Sequence, residues 1–509
     1  MDKIGILDFG GQYSHLIGRR IRDLGVFARV FPAEVSAEEV ARVEGLKGVI
    51  FSGGAASVHE GGSPKPDRDI LDLGLPILGI CYGHQLLSSL FGGEVVSSGT
   101  GEYGTTGLEL TGEKSSLLDG MEEDTDVWMN HKDSVLEPPA GSRVTGRTEE
   151  SPVGVFEDDA RGLYGVQFHP EVTHTDQGDR ILHNFAVRTC GAEPSWDPRD
   201  LVPQMVEDAR HEIGDRRAII GLSGGVDSST AAKIVSEAIG KNLTAVYVDT
   251  GLMREGETQS IRDGFQDEDL RLQVVDESDR FLDRLEGVED PETKRKIIGK
   301  TFIDSFTEVA EDLGADVLIQ GTIYSDRIES GATTHSDTIK SHHNVGGIPE
   351  EMDLEIYEPL RDLYKDEVRR IAREVGVPDK IVHRHVFPGP GLAIRIIGEV
   401  TRKRVEIVRH ASKVVEDKLR EAGLYRNVWM GFAVLLPIKS VGVQGDLRSY
   451  KSPVAIRIVE SEDAMTANFS RIPYEVLEDI STQITNEIGE VNRVVYDISN
   501  KPPATMEWE

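Results

Sequence analysis

The sequence of 509 residues has few cysteines, an excess of acidic over basic residues and no long apolar run. Its two cysteines, Cys81 and Cys190, are too few for a disulfide framework or a four-thiolate zinc site, so we expect a reducing, cytoplasmic compartment. The 56 lysines and arginines stand against 89 aspartates and glutamates, and the resulting charge of −33 argues against a nucleic-acid partner. No segment approaches the roughly 20 apolar residues that a membrane span requires, so no membrane partner is expected.

The chain is long enough for roughly three domains of about 150 residues each. Its first apolar run, residues 4–7, is too short for a signal sequence and predicts a β-strand. Short apolar runs alternate with helical stretches through two successive blocks, as in α/β domains. A linker rich in proline and small residues follows the first block, and the Pro/Gly cluster FPGPG follows the second. We therefore predict domains at 1–190, 191–385 and 386–509, the last a smaller α+β unit.

A first candidate active site lies around Cys81. Residues 75–80 (LPILGI) predict a buried strand and residues 85–90 predict the start of a helix, so Cys81 lies on the sharp turn between them. The partial positive charge of a helix N-terminus favours the thiolate form of a cysteine in such a place. The alternative is a cysteine that only packs behind the strand.

Residues 165–171 (GVQFHPE) supply partners for this thiol. Residues two apart on an extended segment face the same side, so Glu171 can orient His169 while His169 takes a proton from the thiol. The turn 52–54 (SGG) offers backbone N–H groups to the oxyanion of an acyl-transfer reaction. Taken alone, this glycine pair is more typical of an ordinary βα turn.

These segments, with residues 8–13 (DFGGQY) and 79–85 (GICYGHQ), resemble the class I glutamine amidotransferases, which hydrolyse glutamine to glutamate and ammonia. Three positions depart from that family's pattern: Ala55, His84 and Lys132. None of the three is a residue of the expected triad. The resemblance implies that Cys81 is the nucleophile, His169 the base and Glu171 the partner of the base. It also implies an oxyanion hole made by the N–H groups of Gly54 and Tyr82.

A second candidate site follows the predicted strand 218–222. The turn 223–228 (SGGVDS) runs into a helix, and a glycine-rich turn at a helix N-terminus presents N–H groups to phosphate. The turn is not a Walker A loop, because no Lys-Ser or Lys-Thr follows the second glycine. It resembles the pyrophosphate-binding loop of N-type ATP pyrophosphatases, which split ATP into AMP and pyrophosphate. The implied ATP-binding residues are Ser223, Gly224, Gly225, Val226, Asp227, Ser228, Ser229, Asp249 and Lys340.

Adenylation chemistry needs Mg²⁺ with the ATP, because negative charge develops on the polyphosphate. Asp227 is the candidate protein ligand for this ion. Asp249 has an alternative role as a capping residue before the next helix. Lys340 opens a polar stretch that ends in two glycines and predicts a mobile lid. Its neighbours His342 and His343 point to opposite sides of an extended chain and lack a third ligand, which argues against zinc.

The remaining helix of this block, residues 363–375, is most simply a helix with one solvated face, on which Lys365 and Glu367 lie. No functional role is predicted for either residue. Neither is a substrate contact predicted in the segment 324–330, where Ser325 and Arg327 are unusual for the family described next.

Four further segments extend the resemblance to the glutamine-hydrolysing GMP synthetases: 290–299 (DPETKRKIIG), 387–395 (FPGPGLAIR), 444–450 (QGDLRSY) and 501–509 (KPPATMEWE). That family implies a cytoplasmic homodimer that uses ATP, XMP and glutamine. It makes GMP through an adenylyl-XMP intermediate and releases AMP, pyrophosphate and glutamate. The residues implied in XMP binding are Arg395, Asp446, Arg448, Lys501 and Glu507.

Arginine and lysine suit the phosphate of XMP, whereas a carboxylate should repel it. We therefore expect Glu507 to orient Lys501 or the ribose. The alternative for all residues of the C-terminal tail is docking without substrate contact.

The predicted fold class is α/β. It comprises a class I glutamine amidotransferase domain, a doubly wound parallel-sheet ATP pyrophosphatase domain and a small α+β C-terminal domain. One rival is another glutamine-dependent adenylating ligase, such as NAD synthetase, but that enzyme needs a glutaminase with a Glu-Lys-Cys set. A non-catalytic nucleotide-binding regulator is the other rival, and it predicts a broken catalytic set.

Overall fold

The structure is a computed structural model that describes residues 1–122, 125–266, 268–324, 354–444, 446–461 and 466–509. The described chain forms two compact units, Met1–Asp197 and a second unit from Pro198 to Glu509. Among the described residues, every helix is too short or too polar to cross a membrane.

The first unit is built on a mixed sheet with strand order β2-β1-β3-β4-β9-β8-β7-β5-β6. Its strands are β1 (Lys3–Asp8), β2 (Phe27–Pro32), β3 (Leu46–Phe51), β4 (Ile77–Ile80), β5 (Glu94–Leu110), β6 (Thr125–Glu137), β7 (Arg143–Arg147), β8 (Val155–Asp158) and β9 (Leu163–Val166). Its α-helices are α1 (Ser14–Asp23), α2 (Ala37–Ala41), α3 (Tyr82–Leu90) and α4 (Gly178–His183).

The parallel strands β1, β3, β4 and β9 are buried on both faces, which explains their nearly continuous apolar sequences. Ile50 packs into the core on one face of the sheet, while its neighbours Val49 and Phe51 pack into the core on the other. The long strands β5 and β6 form an antiparallel pair at the edge of the sheet, beyond β8 and β7. The carboxyl ends of β3, β4 and β9 therefore lie side by side, and the candidate residues of this unit follow those ends.

The second unit begins with a fully parallel sheet of strand order β12-β11-β10-β13-β14. These strands are β10 (Ala218–Gly221), β11 (Leu243–Asp249), β12 (Arg271–Asp276), β13 (Val317–Ile319) and β14 (Glu355–Tyr357). The α-helices are α5 (Val202–Ile213), α6 (Val226–Ile239), α7 (Glu257–Phe265), α8 (Ser278–Arg284), α9 (Pro291–Leu313), α10 (Lys365–Glu374) and α11 (Asp379–Val382).

Helices cover both faces of this parallel sheet. Ile219 and Leu318 face a core that includes residues of α9, whereas Ile220 and Ile319 face a core that includes residues of α5, α6 and α10. This is the predicted doubly wound arrangement. The strand order reverses at β10, so the turn after β10 lies at the switch point where such sheets bind ligands.

The C-terminal part of the second unit is the predicted α+β element. It contains α12 (Arg402–Glu421), α13 (Tyr474–Glu487), β15 (Met430–Leu435), β16 (Ser440–Gln444), β17 (Leu447–Glu460), β18 (Asn468–Phe469) and β19 (Val491–Tyr496). Strand β17 lies at the centre of its sheet and pairs with the other four strands. One hydrophobic core runs from the parallel sheet into this element. The division at 385/386 therefore stays a prediction.

Candidate active sites

Cys81 lies on a sharp turn between a strand and a helix. Strand β4 ends at Ile80 and α3 begins at Tyr82, so Cys81 is the N-cap residue, with φ of 52° and ψ of −103°. Its side chain is 4% exposed. A left-handed φ at a non-glycine residue is strained and is typical of functional turns. The turn thus has the geometry that the sequence predicts.

The predicted triad residues lie in contact with one another. The Nδ1 atom of His169 is 2.7 Å from Oε1 of Glu171, and the Cys81 sulfur lies near enough to the imidazole to raise the pKa of His169. Since Nδ1 is occupied by Glu171, Nε2 is the ring nitrogen left for the thiol. The thiol also lies 3.7 Å from the carbonyl oxygen of Asn130. Polar partners of this kind exceed what a cysteine that only packs would need.

The charges around His169 favour its protonated form. Burial lowers the pKa of His169, but the negative charges of Glu171 and of the Cys81 sulfur outweigh burial and hold the pKa well above its ordinary value. The site therefore favours the imidazolium form of His169 beside the Cys81 sulfur.

The glycine-rich turn after β3 lies against this pair. A Cβ atom added to Gly53 would lie 3.0 Å from Cε1 of His169 and 3.7 Å from Cβ of Cys81. A Cβ atom on Gly54 would lie 3.4 Å from the Tyr82 ring. The N–H of Tyr82 belongs to the first turn of α3, where backbone donors lack an intrahelical acceptor. Gly54 and Tyr82, the two predicted oxyanion donors, therefore lie close to each other beside Cys81, and their role stays a prediction.

The second candidate site is the turn between β10 and α6. Gly224 adopts a φ of 73°, and Gly225 is the N-cap residue of α6. The hydroxyls of Ser223 and Ser228 lie 3.2 Å apart, and Ser223 also accepts a hydrogen bond of 3.3 Å from the Gly225 N–H. Val226 and Ser228 lie in the first turn of α6, where N–H groups lack an intrahelical acceptor, whereas the Ser229 N–H already donates to the Gly225 carbonyl oxygen at 3.2 Å. The arrangement suits a phosphate group.

Two cations at this turn were not predicted as functional. Lys365, assigned to a solvated face, instead forms an ion pair with Oδ2 of Asp227 from the N-terminus of α10. Arg384 donates a 2.7 Å hydrogen bond to the carbonyl oxygen of Gly224 and pairs with Glu257. Lys365 is 138 residues from Asp227, so no local pattern links them. The sequence contained one general indication, since a turn that binds phosphate needs cations nearby, but it could not show which lysine or arginine supplies them.

Asp249 has both carboxylate oxygens engaged within its own segment. Oδ1 accepts a 3.0 Å hydrogen bond from the Gly251 N–H, and Oδ2 accepts one of 2.6 Å from the Thr258 hydroxyl. These bonds hold the turn that follows β11, but α7 begins at Glu257 with Gly256 as its N-cap residue, so Asp249 is not the cap of that helix and its nucleotide contact stays a prediction. Lys340, like His342, His343, Ser325 and Arg327, lies outside the described residues.

Arg395 and Glu507, both predicted in XMP binding, form a two-pronged ion pair. Nε and Nη2 of Arg395 lie 3.1 and 2.8 Å from the two carboxylate oxygens of Glu507. Arg395 is 2% exposed, and its guanidinium lies 4.0 Å from the centre of the Phe432 ring. Glu507 thus compensates the buried charge of Arg395.

The other three predicted XMP residues lie elsewhere in the same C-terminal element. Lys501 forms an isolated antiparallel bridge with Ala467 through both backbone groups. Asp446, with φ of 64°, lies in the turn between β16 and β17, and Arg448 follows it near the start of β17. Asp446 and Arg448 are exposed.

Three family models match this chain. The model described as glutamine amidotransferase class-I matches residues 5–189. The model described as NAD synthase matches residues 200–278, which include the turn 223–228. The model described as GMP synthase C terminal domain matches residues 417–508.

Curated relatives match over the whole length. "GMP synthase [glutamine-hydrolyzing]" of Symbiobacterium thermophilum is 51% identical, covering 100% of this chain and 99% of the relative. Proteins of the same name from Halothermothrix orenii and Streptomyces coelicolor are 50% and 49% identical, each over 100% of this chain and over 99% and 98% of the relative. The predicted resemblance is confirmed, and the chain belongs to the family of glutamine-hydrolysing GMP synthases.

Proposed function

We propose that this chain aminates XMP to GMP with ammonia that its first unit releases from glutamine. The observation that carries this proposal is the contact of Cys81, His169 and Glu171 beside the turn 52–54. The family names support GMP as the product and glutamine as the nitrogen source.

In the first half-reaction, the Cys81 thiolate attacks the carboxamide carbon of glutamine. The oxyanion that forms accepts hydrogen bonds from the N–H groups of Gly54 and Tyr82. His169, whose raised pKa keeps it protonated, donates a proton to the departing ammonia. Water then hydrolyses the thioester, with His169 as the base, and glutamate leaves. Glu171 holds the imidazole in the orientation that both steps require.

In the second half-reaction, the turn of Ser223 to Ser229 holds the phosphates of ATP by its N–H groups. The O2 atom of XMP attacks the α-phosphate, and pyrophosphate leaves. Ammonia then displaces AMP from C2, which gives GMP. Lys365, together with Lys340, would neutralise the charge on the polyphosphate.

The residues at the turn suit a magnesium ion. In the described part of the chain, Oδ1 of Asp227 is buried without a hydrogen-bond partner, while Oδ2 pairs with Lys365. A carboxylate oxygen is a ligand that Mg²⁺ prefers, and Asp227 would hold the ion. When bound, Mg²⁺ neutralises charge on the phosphates of ATP.

The XMP site is proposed to lie in the C-terminal element. Lys501 and Arg448 supply cations for the phosphate, and Asp446 lies beside Arg448 in the same hairpin. Arg395 has its charge compensated by Glu507, so its proposed contribution is to orient that carboxylate toward the ribose. The assignment of these residues to XMP follows the family resemblance. The ion pair with Arg395 adds a reason why a carboxylate, Glu507, belongs to the site.

A homodimer is proposed to form through the β16–β17 hairpin. Val441, Val443 and Tyr450 lie on one face of the hairpin and are 51%, 72% and 65% exposed, and apolar side chains clustered on a surface mark an interaction site. The hairpin also carries Asp446 and Arg448, so the contact would place these residues at the interface. The scarcity of cysteine supports a cytoplasmic location.

The test is AMP and GMP formation from XMP and MgATP with either glutamine or ammonium salt as nitrogen source. Cys81→Ala should abolish the glutamine-driven reaction and leave the ammonium-driven reaction unchanged, because the thiol acts only on glutamine. Cys190→Ala is the matched control and should retain both. A Cys81→Ala enzyme that still uses glutamine would refute the role of the thiol, and a wild type inactive with both sources would refute the XMP assignment.

A further inference from the structure

In addition to the triad, the first unit buries a second polar cluster, which has no part in the proposed hydrolysis of glutamine. Glu102 on β5 and His131 on β6 are directly opposite each other in the antiparallel pair. They are 9% and 5% exposed. The Nε2 atom of His131 lies 3.4 Å from Oε2 of Glu102. A carboxylate that is buried to this degree costs free energy unless its partners compensate it.

Glu102 has the partners of a charged carboxylate. The Thr148 hydroxyl donates to Oε1 at 3.0 Å, and the Ser151 hydroxyl donates to Oε2 at 2.9 Å. Burial alone would raise the pKa of Glu102, but hydrogen bonds from His131, Ser151 and Thr148 outweigh burial and lower the pKa. A negative charge therefore faces Nε2 of the imidazole at neutral pH.

The imidazole of His131 also contacts the backbone of strand β6. Its Nδ1 atom lies 2.9 Å from the carbonyl oxygen of Asp133. A carbonyl oxygen only accepts, so Nδ1 carries the hydrogen and donates it. Because Glu102 faces Nε2, turning the ring over would break both contacts. Glu102 thus fixes the ring in the orientation that holds the Asp133 carbonyl.

Asp133 in turn joins the two segments that flank the Cys81 thiol. Its carbonyl oxygen also accepts a 2.6 Å hydrogen bond from Nε2 of Gln85, which is one turn after Cys81 in α3. Its carboxylate accepts a 2.5 Å hydrogen bond from the hydroxyl of Ser57, which follows the turn 52–54. Asp133 therefore ties both sides of the proposed oxyanion hole to one strand.

The same strand also contacts the triad through its backbone. The carbonyl oxygen of Asn130 lies 3.7 Å from the Cys81 sulfur, and that of Trp128 accepts a 3.0 Å hydrogen bond from the His169 N–H. A shift of β6 at Asp133 would therefore move the thiol and its base relative to the oxyanion donors.

We propose that Glu102 is a positioning residue for glutamine hydrolysis, which acts through His131 and Asp133 to hold β6 against α3 and the turn 52–54. The inference rests on the proposed function of Cys81. It assigns no contact between Glu102 and glutamine.

The experiment compares Glu102→Gln with Glu109→Gln, a matched control on the same strand whose carboxylate pairs with Arg147 and is 64% exposed. Glu102→Gln keeps the shape of the side chain but removes the charge. We expect the kcat of glutamine hydrolysis to fall about 10- to 100-fold with little change in KM, since a misplacement of about 1 Å costs up to about 100-fold. Ammonium-driven GMP synthesis and the control should match the wild type.

A double-mutant cycle tests whether Glu102 acts through the imidazole. Glu102→Gln combined with His131→Asn should cost no more than the costlier single variant, because both remove one chain of contacts. Additive losses would overturn the inference, and so would a kcat of Glu102→Gln within about twofold of the Glu109→Gln control. A loss that appears in KM alone would also overturn it.

Ser151→Ala and Cys81→Ala separate a failure of this inference from a failure of folding or of the proposed function. If Glu102→Gln does not fold, Ser151→Ala removes one donor and leaves the charge, and a smaller fall of kcat is expected. No change there would refute the inference. If Cys81→Ala retains glutamine hydrolysis, the proposed function fails. If Cys81→Ala is inactive with glutamine while Glu102→Gln is unaffected, only the role of Glu102 fails.

Discussion

Gly83, two residues after the thiol, leaves no room for a side chain. A Cβ atom at Gly83 would lie 2.3 Å from the carbonyl oxygen of Phe51, at the end of β3. The Gly83 N–H also donates to the carbonyl oxygen of Ser52 at 3.1 Å. The substitution Gly83→Ala must therefore push α3 and the turn 52–54 apart, and Cys81 begins that helix.

The size of the displacement follows from the contact. Real Cβ atoms stay about 3.0 Å or more from such an atom, so the backbone must separate by about 0.7 Å. Overpacking of this kind costs about 1–3 kcal/mol of stability. Misplacing catalytic groups by about 1 Å costs about 100-fold in rate, so we expect glutamine hydrolysis to fall about 10- to 100-fold.

The assay is GMP formation from XMP and MgATP with glutamine or ammonium salt, together with the Tm of each variant. The ammonium-driven rate should not change, because the synthetase residues belong to the second unit. Gly107→Ala is the control, since a Cβ atom at Gly107 meets no atom within 4 Å. A Gly83→Ala enzyme whose glutamine-driven rate stays within about twofold of the control would refute the reasoning.

The contacts of His169, Lys365 and the β16–β17 hairpin can each be tested by substitution. The raised pKa of His169 means that the stability its protonated form contributes is complete below about pH 6.5 and is lost as the pH rises through the folded-state pKa. The deficit in Tm of Glu171→Gln should therefore be largest below about pH 6.5 and shrink as the pH rises through the folded-state pKa in thermal melts, and a deficit that grows with pH would contradict it. Lys365→Ala should lower GMP formation about 100-fold with either nitrogen source and spare glutamine hydrolysis, measured as glutamate release; equal loss of both activities would contradict its place at the phosphates. Val443→Asp should convert the dimer to a monomer in sedimentation equilibrium, whereas Leu447→Asp, on the opposite face of the hairpin, should weaken it less; an unchanged Val443→Asp dimer would exclude this face of the hairpin as the interface.

Much of the fold follows from local patterns. The apolar run 243–249 is β11 residue for residue, and the amphipathic stretch 402–422 is α12 to within one residue. The strands β5 and β6 were not predicted. Strand β5 contains glycine, serine and threonine at many positions, so it shows no clear apolar alternation, and its pairing with β6 is what makes it a strand.

For the candidate sites, too, the sequence predicts local geometry better than contacts between distant residues. The sequence by itself determined the nucleophile turn and the phosphate-loop turn, because a strand, a glycine-rich turn and a helix N-terminus are neighbours in the chain. Only the tertiary structure decided which distant groups meet them, such as Lys365 at Asp227 and His131 at Glu102. Backbone geometry at a turn depends on residues within a few positions, whereas compensation of a buried charge depends on whichever side chain the packing brings within hydrogen-bond distance.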